Sequence, residues 1–117
     1  MFRMLSARIQ MLPAVLVLSA PLAAAAQDAA QVNKGQEVYA AQKCTMCHAI
    51  GGKGNKMSVL DGVGKKLSAE EIRQWIVSPA EMTAKTKSTK KPPMPAKYAK
   101  LPQAELDALV AYLQSLK

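Results

Sequence analysis

Cys44-Thr45-Met46-Cys47-His48 puts two thiols three positions apart with an imidazole on the very next residue. That arrangement suits covalent attachment of a c-type haem. Each sulfur adds to one of the two vinyl groups on a porphyrin edge, and the two-residue linker leaves both sulfurs on one side of a short helical turn. His48 then falls beneath the ring as the proximal iron ligand, a nitrogen donor suited to haem iron. Three plainer readings compete. A thioredoxin-like redox pair shares the spacing but sits near a strand-helix-strand pattern, and the sequence has no strand run. A structural zinc site takes four protein ligands, whereas only Cys44, Cys47 and the single histidine are good ones here. A Cys44–Cys47 disulfide closes too small a loop to stabilise much.

A second axial ligand would be a thioether. Beyond the first 26 residues the candidates are Met46, Met57, Met82 and Met94, although methionine more often fills core gaps. Met46 lies between the two attachment cysteines on the proximal side. Met57 would have to turn over the haem edge within nine residues of His48. Met82 sits in an expected short helix, where burial is its ordinary role. Met94, in Pro92-Pro93-Met94-Pro95, is held extended, because each proline fixes its own φ and pushes the residue before it out of the helical region. Met94 is therefore the expected distal ligand and Met82 the alternative. Trp75 has two readings: its indole N–H donates to a buried haem propionate, or its ring only fills core volume.

Several elements must position these groups. Residues 33–43 read as a helix, with Asn33 as cap, Gln36 as its reciprocal partner and a short stripe of Val38, Tyr39 and Gln42. Gly35 lets another backbone approach closely. Residues 51–64 read as a glycine-rich loop that wraps the haem edge; no P-loop pattern follows it. Ser68 and Glu71 form a capping box, with Leu67 and Ile72 as a hydrophobic staple, and Pro79 ends that helix after Ser78. Ser78, Pro79 and Glu81 start a second short helix through Met82. Residues 83–98 are basic, proline-rich and expected to be irregular. The last helix is expected from Pro102, with Leu106, Leu109, Val110, Leu113 and Leu116 on one stripe that packs against Val38 and Tyr39.

Residues 1–26 read as an export signal: Arg3 and Arg8, then the apolar run 12–18, then Ala24-Ala25-Ala26 before a cleavage expected ahead of Gln27. The apolar stretch, broken by Pro13, Ser19 and Pro21, is shorter than the ~20 residues a membrane span needs. No stable membrane insertion is expected after cleavage. One domain, 27–117, remains, near the size at which a side-chain core alone is marginal. It holds no Phe and one Trp, so a porphyrin would supply missing apolar volume. It keeps all eight acids but loses two of the sixteen basic residues, which leaves +6. Lys85, Lys87, Lys90, Lys91, Lys97 and Lys100 crowd one stretch and suit acidic redox partners. There is no nucleic-acid readout motif.

Taken together, Gly35, Tyr39, Cys44-x-x-Cys47-His48, the middle helix, Pro-Met94-Pro and the final Tyr112-Leu113 resemble a small monohaem class I cytochrome c of bacteria. The resemblance spans nearly all of residues 33–117. It implies an all-α fold whose first and last helices cross beside the haem, one covalent haem c, His48 and Met94 as axial ligands, and single-electron transfer in the periplasm by a monomer that is not an enzyme. One departure is visible: Tyr39 lies five residues before Cys44, where the family pattern has its aromatic four before. Two other functions fit the same motif. One is a haem-bearing subunit of a dehydrogenase or oxidase complex. The other is a ligand-binding or peroxidase-like protein with an open iron face.

Overall fold

Helical signals dominate the sequence, and the computed structural model, which describes residues 20–117, contains five α-helices and one small sheet. The frame is the crossing of α1 (Ala20–Ala41) with α5 (Gln103–Gln114). α5 buries the expected Leu106, Leu109, Val110 and Leu113, and also Ala108 and Tyr112. Val38 and Tyr39 of α1 join them in one apolar cluster with Ile72 and Ile76 of α3 (Ala69–Val77). Gly35 makes this closeness feasible. A Cβ added there would collide with the Ala108 carbonyl oxygen and lie 2.6 Å from Tyr112 Cβ. The Tyr39 and Tyr112 rings meet edge to face, with centroids 5.7 Å apart at 65°, a contact worth about 1 kcal/mol beyond its area.

α1 differs from expectation at both ends. It begins far ahead of Asn33, whose side chain lies exposed inside the helix and caps nothing. The alanine-rich run before it explains this, since alanine has the highest helix propensity. At the other end the helix stops at Ala41, and Lys43 takes the left-handed conformation, φ 55° and ψ 41°. That turn lies between Tyr39 and Cys44, and the aromatic packs at the crossing despite its displaced position. Residues 1–19, with the charged start and apolar run of the expected export signal, lie outside the described residues. α1 runs through Ala26 and Gln27. No helix among the described residues is long and apolar enough to cross a membrane.

The capping box is present: Ser68 Oγ accepts from the Glu71 amide at 3.1 Å, and Glu71 Oε1 accepts from the Ser68 amide at 3.2 Å. Leu67 packs against the cluster that holds Ile72. Across the bundle, Arg73 of α3 pairs with Asp107 of α5 at 2.7 Å. α4 (Pro79–Thr86) runs one turn beyond Met82. There the Thr83 and Thr86 hydroxyls donate to the Pro79 and Met82 carbonyls at 2.7 and 2.8 Å, which keeps the turn closed. Irregular chain therefore starts at Lys87, not Thr83, and a 3-10 turn interrupts it at Ala96–Lys100. Pro102 stands just ahead of α5 as its cap residue rather than in its first turn.

The region read as a pure loop holds short strands β1 (His48–Ile50), β2 (Lys53–Gly54) and β3 (Ser58–Val59), ordered β2-β1-β3, and a one-turn helix α2 (Val63–Lys66). β1 pairs antiparallel with β2, Ala49 opposite Gly54, and parallel with β3, His48 beside Ser58. Gly51 and Gly52, both at positive φ, make the two-residue hairpin turn that needs such angles. Strands of two or three residues carry no readable alternation, which is why the sequence had no strand run.

Candidate functional site

Lys43 delivers the chain straight into the attachment turn. Cys44–Met46 form a single 3-10 turn closed by a bond from the Cys47 amide to the Cys44 carbonyl at 3.2 Å. Both thiols are half-buried and unpaired, so the two cysteines form no disulfide. Met46 between them is 70% exposed. His48 opens β1, which fixes its backbone in the centre of the sheet.

Asn55 holds this turn, a role that sequence reasoning missed. Its amide is shared between the Thr45 and His48 carbonyls at 3.0 and 3.1 Å. Its side chain donates to the Met46 carbonyl at 3.0 Å and accepts from the Met57 amide at 2.9 Å. An asparagine in a glycine-rich stretch signals a local turn, but its reach nine residues back shows only in three dimensions. Lys90 Nζ donates to the Met57 carbonyl at 3.3 Å, which ties the loop carrying Met94 to the attachment side. Lys97 Nζ lies 5.2 Å from the Tyr98 ring centroid.

Burial pushes the Cys44 thiol up to about 11, with Cys47 adding to the effect and a backbone hydrogen bond and Lys97 opposing it. Thiol-disulfide exchange needs a lowered thiol, so this site is unsuited to the thioredoxin reading. Among the described residues no three His, Cys, Asp or Glu side chains gather as metal ligands. Burial lowers the His48 imidazole below its ordinary value; the Ser58 backbone opposes and Lys90 reinforces this. A lowered value favours the neutral ring, the form that ligates metal. Its Nδ1 is buried without a hydrogen-bond partner, so the Ser58 backbone acts without closing a bond. An orphaned buried polar atom costs roughly 1–3 kcal/mol, and functional sites are where such atoms are kept.

The structure brings Cys44 and Met94 onto the same apolar cluster, in a half-buried shell with Ile50, Leu60, Tyr98 and Leu101. Met82 is buried on α4 but outside that cluster, and Trp75 on α3 is half-buried and likewise outside it. No large side chain among the described residues is below 2% exposed. A core covered on one side by half-exposed apolar groups, beside two unpaired thiols and a neutral imidazole, fits a flat apolar macrocycle attached through both sulfurs. Cys44 and Cys47 would hold such a group and His48 would supply its nitrogen ligand.

Known proteins agree. The sequence profile described as Cytochrome c matches residues 32–117. Cytochrome c oxidase subunit 2 of Alkalihalophilus pseudofirmus is 30% identical over 95 residues, covering 73% of this chain and 25% of that protein. The chain thus spans about a quarter of the relative's length. No solved structure matches it.

Proposed function

The chain belongs to the cytochrome c family, and from that premise we propose a periplasmic carrier of single electrons with His48 and Met94 as axial ligands. Covalent haem c, the family's redox group, supplies one-electron chemistry between ferric and ferrous iron. What the chain adds is attachment at Cys44 and Cys47, a neutral imidazole at His48 and a thioether on a stiff loop. Sulfur ligation favours the reduced form. The observation that carries the reading is the half-buried Met94 in the shell with Cys44, on a loop tied to the attachment side by the bond from Lys90 to Met57. Met82 is buried on α4 outside the apolar cluster. Lysines of residues 85–100 are the proposed guides for acidic partners, and Trp75 is the proposed propionate donor.

Replacing Met94 by Ala is expected to abolish the weak long-wavelength band of ferric iron-sulfur ligation and to open the iron to carbon monoxide. Met82→Ala should keep the band. The reverse pattern would transfer the ligand role to Met82. Free access of carbon monoxide to the unmodified protein would favour a ligand-binding or peroxidase-like role. Intact mass of the exported protein checks cleavage before Gln27.

Similarity to a cytochrome c oxidase subunit 2 favours a second reading, in which the chain is the haem-bearing part of an oxidase complex. Native size in a mild membrane extract separates the two: a monomer for the shuttle, a large assembly for the subunit.

A further inference from the structure

Helix α2 is a single turn, too short to stand on its own. Its place is fixed by the C-terminal end of α5. The Gly64 amide, one of the orphan donors of a first turn, donates to the Leu116 carbonyl at 2.8 Å. The Gly64 carbonyl accepts from Gln114 Nε2 at 2.8 Å and from Lys117 Nζ at 3.0 Å. No side chain fits between the two segments: a Cβ on the buried Gly64 would collide with the Gln114 carbonyl oxygen and lie 3.0 Å from that of Leu116. Gln114 Oε1 is buried without a partner, so this side chain keeps its bond to Gly64 at the cost of an unsatisfied acceptor.

From Gly64 the chain leads back to His48 by short steps. The Val63 amide donates to the Leu60 carbonyl at 3.0 Å, and the Leu60 amide donates to the Ala49 carbonyl at 2.9 Å. Ser58 lies beside His48 in the parallel pairing of β3 with β1. A strand of two residues has little pairing of its own to hold it in register. Val63, Leu60 and Leu116 also pack against the one apolar cluster, so the path is filled as well as bonded. Contiguous bonded and packed groups can carry coupling between distant positions, and a change at the far end is what demonstrates it.

We infer that Gln114, assisted by Lys117, is a positioning residue for the proximal ligand: by clasping Gly64 it holds α2 and β3, and with them the orientation of the His48 ring. The inference rests on the electron-carrier reading, in which His48 ligates the iron. Outer contacts of a ligating histidine fix its ring and so tune the metal. Here the outermost of those contacts comes from the far end of the chain.

The test uses the holoprotein and two proton NMR readouts, amide exchange and the iron-shifted ring signals of His48 in the ferric state. In a Gln114→Ala, Lys117→Ala variant the Gly64 carbonyl loses both side-chain donors. Exchange at the Gly64 and Leu60 amides should be about tenfold faster, the scale of two modest hydrogen bonds, and the His48 ring signals should shift. Gly64→Ala, which drives the two segments apart by collision, should move the same signals further. Arg73→Ala is the control: it removes the pair with Asp107 across α3 and α5, makes no break in the path, and should leave the His48 signals in place. Faster exchange confined to Gly64, with Leu60 and the His48 signals as in the unmodified protein, overturns the inference and leaves the electron-carrier reading intact, because the clasp then only closes the end of α5. An equal response to Arg73→Ala overturns it too, as general loosening. Failure of the carrier reading shows separately, as an unmodified ferric protein whose His48 ring signals carry no iron shift, and overturns both. Should the double variant not hold its fold, Lys117→Ala alone gives the same comparison at smaller amplitude.

Discussion

At the crossing of α1 and α5 the contact is apolar, buried and close enough for Gly35 to touch the Ala108 backbone. Around Cys44–His48, where Cys44 only half-buries itself on the apolar cluster, the turn is held by exposed polar contacts of single side chains, Asn55 and Lys90 above all. The first kind resists change because a packed interior has no slack. The second is adjustable, since exposed hydrogen bonds contribute little net stability. A frame of this kind keeps its shape while the loops around the redox group vary in charge and contact.

Gly35→Val is the harshest test of that division. It should destabilise the holoprotein by about 3 kcal/mol or more by forcing the helices apart, as read by chemical denaturation, while the haem spectrum below the transition stays unchanged. A spectral change without loss of stability would mean that crossing and site are one unit.

Tyr39 belongs to both regions, its ring at the crossing and its buried hydroxyl without a partner. Burial first, then Cys44, Tyr112 and Asp61, push its phenol from 10.0 up to about 12. A raised folded-state value favours the protonated form, so its contribution is intact below pH 10 and fades as pH rises toward 12. Tyr39→Phe should therefore flatten the alkaline loss of stability across that window. At neutral pH it should be stabilising by about 1 kcal/mol, because it removes an unsatisfied hydroxyl. In the holoprotein Cys44, as a thioether, no longer titrates, so its part of the upward push is absent and burial sets the direction of the shift.

On the site side effects should shrink. Asn55→Ala should cost about 1 kcal/mol or less globally, yet speed hydrogen exchange at the Met57 amide. Smallest is Lys43→Gly, expected to be stabilising by under about 1 kcal/mol, since a left-handed position suits glycine.

The same division governs what the sequence made legible. The attachment motif, the Ser68–Glu71 box and the α5 stripe are local patterns with fixed spacings, and each was readable. Gly35 was readable as a close approach because the stripe needed a partner. The start of α1 was misread because Asn33 has a cap's chemistry while the alanines before it decide the helix. β1 to β3 were invisible because two or three residues set no period. The roles of Asn55 and Lys90 depend on groups 9 and 33 residues away, and no local signal encodes such partners.

Lys43 has a further consequence, for how such chains diverge. One residue in a left-handed turn separates a helix whose packing tolerates no shift from a motif whose chemistry tolerates none. Lys43 is exposed and five residues lead from Tyr39 to Cys44, so a residue gained or lost at this joint need alter neither side. Where a homologue differs in length here, an alignment anchored on the cysteines alone would slip along all of α1, whereas two blocks with a gap allowed between Ala41 and Cys44 would not.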